Sequence, residues 1–227
     1  MNAFDRFALT TRAFFREVLG SPAPRGISPS PKLNRTGPLP VDMLVIDVSL
    51  SMDLTDYPPS RLDGAKQAAT RFLVKRFEVS PAALVGIATF CSRAKLVSDP
   101  VPISQNLVQL QGRLQGLSTG SAINLSAGLS MAQTEILKAR STETKRIVLL
   151  TDGDSNTGPN PVITSDAIKK AGIQLDIIGI GGSPSEVNEK DLKRMASVVN
   201  GELRYWFIKS VGELVQRFET LALREIK

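Results

Sequence analysis

From Val41 onward, short apolar runs alternate with segments whose apolar residues recur every three or four positions. Met43-Leu-Val-Ile-Asp-Val48 is nearly continuous in apolar character, which suits a strand buried on both faces. Leu62, Ala65, Ala69, Phe72 and Leu73 then follow helical spacing. Ala83–Phe90 and Ala94–Val101 read as the next two strands. Leu107, Leu110, Leu114 and Leu117 mark a short helix, and Leu125, Leu129, Ala132 and Ile136 mark another. Ile147–Leu150 and Leu175–Ile180 read as strands, Leu192, Met195, Ala196 and Val199 as a helical stripe, and Leu203–Ile208 as a last strand. Val211, Leu214, Val215, Phe218, Leu221 and Ala222 give the cleanest amphipathic helix. Strands alternating with helices of this length require crossover connections. The pattern predicts one α/β domain over residues 41–227, doubly wound, with a mostly parallel central sheet flanked by helices.

The first forty residues read differently. Phe4, Phe7, Ala8, Phe14, Phe15, Val18 and Leu19 fall close to one helical face, which predicts an amphipathic N-terminal helix over residues 1–20. Its polar side carries three basic and two acidic residues, too balanced for a membrane-surface helix. The expectation is packing against its own domain or a sister chain. Residues 21–40 hold six prolines and read as an extended linker.

Charge narrows the choice of partners. Residues 1–40 hold six basic and two acidic residues, so they supply most of the net charge of +6. The remainder is nearly balanced, which gives no basic face for nucleic acid. No apolar stretch has the length of a membrane span, and Asp5, Arg6, Arg12, Arg16 and Glu17 interrupt any signal-peptide core. The expectation is a soluble, cytoplasmic chain without a transmembrane segment.

Composition also removes several chemistries. There is no histidine, so Ser-His-Asp and Cys-His catalysis and imidazole zinc sites are excluded. The single cysteine, Cys91, cannot form an internal disulfide and follows an apolar run, which suits a small buried hydrophobe.

The loops after the strands hold the chemistry. The first strand runs into Asp47-Val-Ser49-Leu-Ser51-Met-Asp53. Alternate residues of an extended chain share a side, so Asp47, Ser49 and Ser51 converge. One carboxylate and two hydroxyls form a hard-oxygen cluster suited to Mg²⁺, Ca²⁺ or Mn²⁺. With so few anionic ligands, such an ion keeps an open position for a partner's acidic group. The strand Ile147–Leu150 leads into Thr151-Asp152-Gly153-Asp154, where Asp152 offers a second carboxylate. For Ser60 and Thr119, helix capping and backbone satisfaction are the expected roles.

Asp47-x-Ser49-x-Ser51 after an apolar strand, with Leu149-Leu-Thr-Asp-Gly153 about a hundred residues on, resembles the von Willebrand factor A family and its metal-ion-dependent adhesion site. The likeness runs from about Asp42 to Leu223. Arg61-Leu-Asp-Gly-Ala-Lys66, Val85-Gly-Ile-Ala-Thr-Phe90, Asn124-Leu-Ser-Ala-Gly-Leu129 and Ile178-Gly-Ile-Gly-Gly182 match in order. The resemblance implies a Rossmann-like fold of the doubly wound type. It implies that Ser49 and Ser51 bind the metal directly, with Asp47 and Asp152 beside or behind them. It also implies a threonine ligand from a middle loop. Ungapped alignment puts Ile123 there, leaving Thr119 or, nearer, Ser121 as the substitute. Leu50 stands where the family usually has a small residue.

The expectation is therefore a non-enzymatic protein-interaction module of bacterial type, with Asp47, Ser49, Ser51, Ser121 and Asp152 around a Mg²⁺, Ca²⁺ or Mn²⁺ ion. The partner expected is a protein offering an acidic side chain, by analogy a chaperone-like ATPase. The alternatives are a metal-free scaffold of the same fold, binding through loops or the N-terminal helix, and a metal-dependent hydrolase. An aspartyl phosphotransferase needs a second carboxylate two residues after Asp47, where Ser49 stands. Gly179-Ile-Gly-Gly-Ser-Pro184 does not make a G-x-G-x-x-G turn, and no phosphate-cradling loop is present.

Overall fold

In a computed structural model that describes residues 39–139, 144–153 and 155–224, strand β1 (Val41–Asp47) lies at the centre of the sheet with all seven residues buried. Its side chains alternate between two cores. Leu44, Ile46 and Val48 enter one, while Val41, Met43 and Val45 enter the other. This is why the run is apolar throughout rather than alternating. The expected N-terminal helix over 1–20, and the linker up to residue 38, lie outside the described residues.

Six strands form the sheet in the order β3-β2-β1-β4-β5-β8. They are β1, β2 (Leu84–Phe90), β3 (Ala94–Pro102), β4 (Lys145–Thr151), β5 (Ile173–Ile180) and β8 (Tyr205–Ile208). Every neighbouring pair is parallel except β2 with the edge strand β3. Helices α1 (Arg61–Val79), α2 (Ile103–Gln115) and α6 (Val211–Leu223) cover one face with Leu73, Leu110 and Phe218. Helices α3 (Leu125–Lys138), α4 (Pro161–Lys170) and α5 (Glu189–Met195) cover the other with Leu129, Ile168 and Met195. The doubly wound, mostly parallel architecture expected from the sequence is the one observed.

Local departures have local causes. Gly116 ends α2, so Leu117 packs on the core from beyond the helix. The stripe expected to continue through Ala196 and Val199 stops at Met195. Asn200 and Gly201 both take positive φ, at 51° and 79°, and fold Val198–Val199 (β6) back onto Glu202–Leu203 (β7). An Asn-Gly turn of this hand is a hairpin signal that outweighs an apolar helical spacing. Leu203 therefore belongs to the hairpin, and the last sheet strand begins at Tyr205. Helix α4, unmarked by apolar periodicity, is set by Asn160 accepting from Val162 N and by Pro161 at its first position.

A buried ion cluster ties down the end of the sheet away from the Asp47 and Asp152 loops. Arg76 and Arg146 both pair with Asp42 at 2.7 Å, and Arg204 pairs with Asp176 at 2.9 Å. Arg76 and Arg146 also donate to the carbonyls of Ala222 and Leu221, fixing the last turn of α6.

Candidate functional site

The sheet order reverses beside β1: the chain leaves β1 for β2 on one side and later enters β4 on the other. Loops at such a switch point diverge and leave a crevice at the strands' carboxyl ends. Asp47 is the last residue of β1, and Asp152 follows the last residue of β4. Both are buried.

The Asp47 carboxylate joins the two strand ends. Ser49 N donates to its Oδ1 at 2.8 Å, and the Thr151 hydroxyl donates to its Oδ2 at 2.7 Å. The hydroxyls of Ser49 and Ser51 lie 3.1 Å apart, and Ser51 Oγ donates to Asp152 Oδ1 at 2.8 Å. Four of the five expected ligands are thus brought together from loops a hundred residues apart. The single-turn 3-10 helix Leu50–Asp53 shapes the first loop, anchored by buried Met52. Leu50 is 66% exposed and Leu54 51%, so two apolar side chains flank the crevice.

Ser121 is not among the four. Its hydroxyl donates to Ser92 Oγ at 3.0 Å. Thr119 does not cap a helix as expected; it donates to Asp53 Oδ2 at 2.8 Å and so joins two loops. Ser60 does cap α1, accepting from Asp63 N. Ile123 is buried, and its methyl end would meet a Cβ added at Gly153, beside Asp152. Its N–H donates to Asn156 Oδ1 and its carbonyl accepts from Asn156 and Thr157. Those bonds hold the middle loop with the Ile123 side chain packed in the core against Gly153. Cys91 is half-buried and packs on the core beneath Gly120.

The dominant charge feature is one that sequence reading treated only as a flanking match. Arg61, the first residue of α1, is buried and holds three carboxylates: Asp56 at 2.6 Å, Glu186 at 2.8 Å and Asp152 at 3.1 Å. A cation at a helix N-terminus opposes the helix dipole. A basic residue right after a Ser cap is therefore the signal that could have marked Arg61 as a partner for acids. Gly181 and Gly182 let Glu186 come close: a Cβ at Gly181 would lie 2.9 Å from Glu186 Oε2. Gly182 N and Ser183 N both donate to that carboxylate.

Burial, and after it the charge of Asp152, pushes the Asp47 carboxyl up to about 6 despite the bonds from Ser49 and Thr151. Burial also raises Asp152, partly offset by Ser51 and Arg61. Among the described residues one guanidinium, Arg61, thus answers three carboxylates, Asp152, Asp56 and Glu186, while Asp47 is bonded by Ser49 and Thr151, leaving excess negative charge beside two hydroxyls. That donor set is all hard oxygen, and a divalent cation offsets the surplus charge. The side chains of Asp47, Ser49, Ser51 and Asp152 are of the donor types that such an ion takes.

Residues 43–155 match the family model described as von Willebrand factor type A domain. A UPF0353 protein of Mycolicibacterium paratuberculosis is 31% identical over 170 residues, which are 70% of this chain. The chain spans about half the length of that relative. A von Willebrand factor type A structure from Catenulispora acidiphila superposes with a TM-score of 0.69 at 20% identity, over 82% of this chain and 42% of that one. Proximal thread matrix protein 1 of the mussel byssus, with zinc in its MIDAS motif, gives 0.68 at 21% identity, over 82% and 45%. Among the described residues, no helix is long and apolar enough to cross a membrane.

Proposed function

The chain belongs to the von Willebrand factor type A family, and from that premise we propose that it is a non-enzymatic module that binds a protein partner through a divalent cation at the carboxyl edge of its sheet. The observation that supports this reading most is the bonded chain Ser49–Ser51–Asp152 with Asp47 buried behind it. When bound, the ion supplies an open coordination position for a carboxylate of the partner. The protein's own residues do the rest. Asp47 fixes the backbone of the first loop through Ser49 N and locks it to β4 through Thr151. Arg61 holds Asp152 by one oxygen and leaves the other toward Ser51.

Among the described residues, the site's carboxylates are engaged in ways that favour binding over acid–base hydrolysis. Asp47 is held by Ser49 and Thr151 and Asp152 by Ser51 and Arg61, so neither stands free as a base for a hydroxyl nucleophile. Mg²⁺ is the favoured ion because the donors are few, small and oxygen-based, leaving several positions to water. The apolar rim of Leu50 and Leu54 suits a protein surface around the charged centre. A chaperone-like ATPase with an exposed acidic side chain, acting in the cytoplasm, is the partner this reading favours.

Calorimetric titration of the chain with Mg²⁺, alongside Asp47→Ala, tests the proposal. Saturable binding in the parent and none in the variant is expected. Heat-silent titration of the parent would leave the metal-free scaffold as the better account.

A further inference from the structure

A second cluster of charge lies outside the crevice, where β8 forms the outer edge of the sheet. Trp206 of β8 is half-buried between two guanidinium groups: Arg204 lies 4.8 Å from the ring centre and Arg217 of α6 lies 4.7 Å from it. Arg204 is neutralised by Asp176. Among the described residues, Arg217 is not neutralised in this way. Its Nε is buried without a hydrogen-bond partner, and the charges acting on it are those of Arg224 and Arg204. Burial, and after it those two cations, hold its pKa below the ordinary arginine range. Arg224 reaches Glu202 at a loose 3.4 Å, which joins the end of α6 to the β6–β7 hairpin.

The surroundings are apolar and open. Val198 and Leu203 are paired across the hairpin, so their side chains share a face, and they are 66% and 39% exposed. Leu223, beside Arg224, is 54% exposed. A stacked, partly dehydrated guanidinium is pre-organised for a carboxylate, because little side-chain freedom remains to be lost. Aromatic and arginine side chains among apolar neighbours are the composition of interface hot spots.

We infer that Arg217, Arg224 and Trp206, with Val198, Leu203 and Leu223, form a second docking surface, for a partner segment that mixes acidic with apolar side chains. Charge complementarity chooses that occupant. The chain's own first forty residues carry six basic and two acidic residues, a charge that does not complement an arginine cluster. A nucleobase finds no free ring to stack on, since two guanidinium groups already occupy Trp206. An anionic membrane calls for a broad basic face, whereas here the unmatched charge is concentrated at Arg217 and its apolar collar. The surface is independent of the crevice cation, so it stands or falls apart from the reading above.

Trp206 is the chain's one tryptophan, so its fluorescence reports this site alone. The full chain is titrated with a short peptide of glutamates interspersed with leucines, with the same peptide carrying glutamine for glutamate, and with phosphatidylserine-containing vesicles. A saturable emission change is expected with the glutamate peptide, about tenfold weaker with the glutamine peptide and with Arg217→Gln. The change should persist in EDTA and in Asp47→Ala. Leu223→Ser, at an exposed side chain that takes no part in the ion pairs, serves as a second variant and should also weaken binding while leaving the far-ultraviolet dichroism unchanged. An equal response to both peptides, a response to vesicles alone, or no saturable response overturns the inference.

Discussion

Arg61 reaches Asp152 across the mouth of the crevice, Nη1 to Oδ2 at 3.1 Å, while the other oxygen of Asp152 accepts from Ser51 at 2.8 Å. One carboxylate is thus divided between a resident cation and the loop that faces the proposed ion. Arg61 is the built-in counter-charge of the site, and its strength sets how much a metal ion has left to neutralise.

Replacing Arg61 should therefore make the protein more dependent on metal. Arg61→Gln leaves Asp152 buried without its cation, a loss on the order of 2–3 kcal/mol in the metal-free protein. Mg²⁺ should recover more stability in the variant than in the parent, because the ion takes over the missing charge. Thermal unfolding in EDTA and in excess Mg²⁺ measures both. An equal Mg²⁺ increment in the two proteins would mean that Arg61 and the ion do not share Asp152.

Asp47 gives a pH signature. Its folded pKa of about 6 lies above the ordinary value of 3.8, so between these limits the folded state keeps a proton that the unfolded chain has released. The stabilisation is complete below about pH 4 and is lost as pH rises through 6. The shift of about two units corresponds to about 3 kcal/mol at neutral pH. Urea unfolding in EDTA should show the parent losing stability over this window and Asp47→Asn losing much less. Mg²⁺ at neutral pH should restore the parent and leave Asp47→Asn unchanged. Parallel pH profiles for the two proteins would contradict the buried, dehydrated carboxylate.

Leu50 and Leu54 separate partner binding from ion binding. Both side chains are more than half exposed beside the crevice and bond to nothing in the site. The double change Leu50→Ser, Leu54→Ser should leave Mg²⁺ affinity within about twofold and weaken retention of a protein partner by about tenfold, the loss of one or two apolar contacts. Pull-down with and without EDTA reads the second effect, and calorimetry the first. Undiminished retention would place the partner elsewhere on the surface.

The parts of this molecule legible in the sequence were those set by local pattern. β1 is apolar on both faces because helices cover both, and alternation along Asp47-x-Ser49-x-Ser51 put three side chains on one side of an extended loop. The Asn200-Gly201 hairpin was obscured because Val199 happens to fall at helical spacing from Leu192 and Met195. Helix α4 lacks an apolar stripe because only Val162 and Ile168 of its apolar residues are buried, Ile163 being 70% exposed. Arg61 was invisible as a hub for a different reason. Its three acids come from positions 56, 152 and 186, and only the switch point of the sheet brings those loops to one guanidinium.

The middle loop gives the sharpest test of the ion's surroundings. Ile123 occupies the position from which the family resemblance implies a hydroxyl ligand, and its methyl end packs over Gly153 beside Asp152. Ser121 spends its hydroxyl on Ser92. Ser121→Ala should therefore leave Mg²⁺ affinity unchanged, whereas Ile123→Thr adds an oxygen at the crevice. The same change removes a buried apolar group and should cost about 1–2 kcal/mol in the metal-free protein. Ile123→Thr is expected to bind Mg²⁺ several-fold more tightly while melting at a lower temperature in EDTA. The opposite signs matter, because a merely structural position would lose stability without gaining affinity. If Ser121→Ala abolished binding while Ile123→Thr did nothing, the loop would have to rearrange on binding the ion, and Ser121 rather than Ile123 would face it.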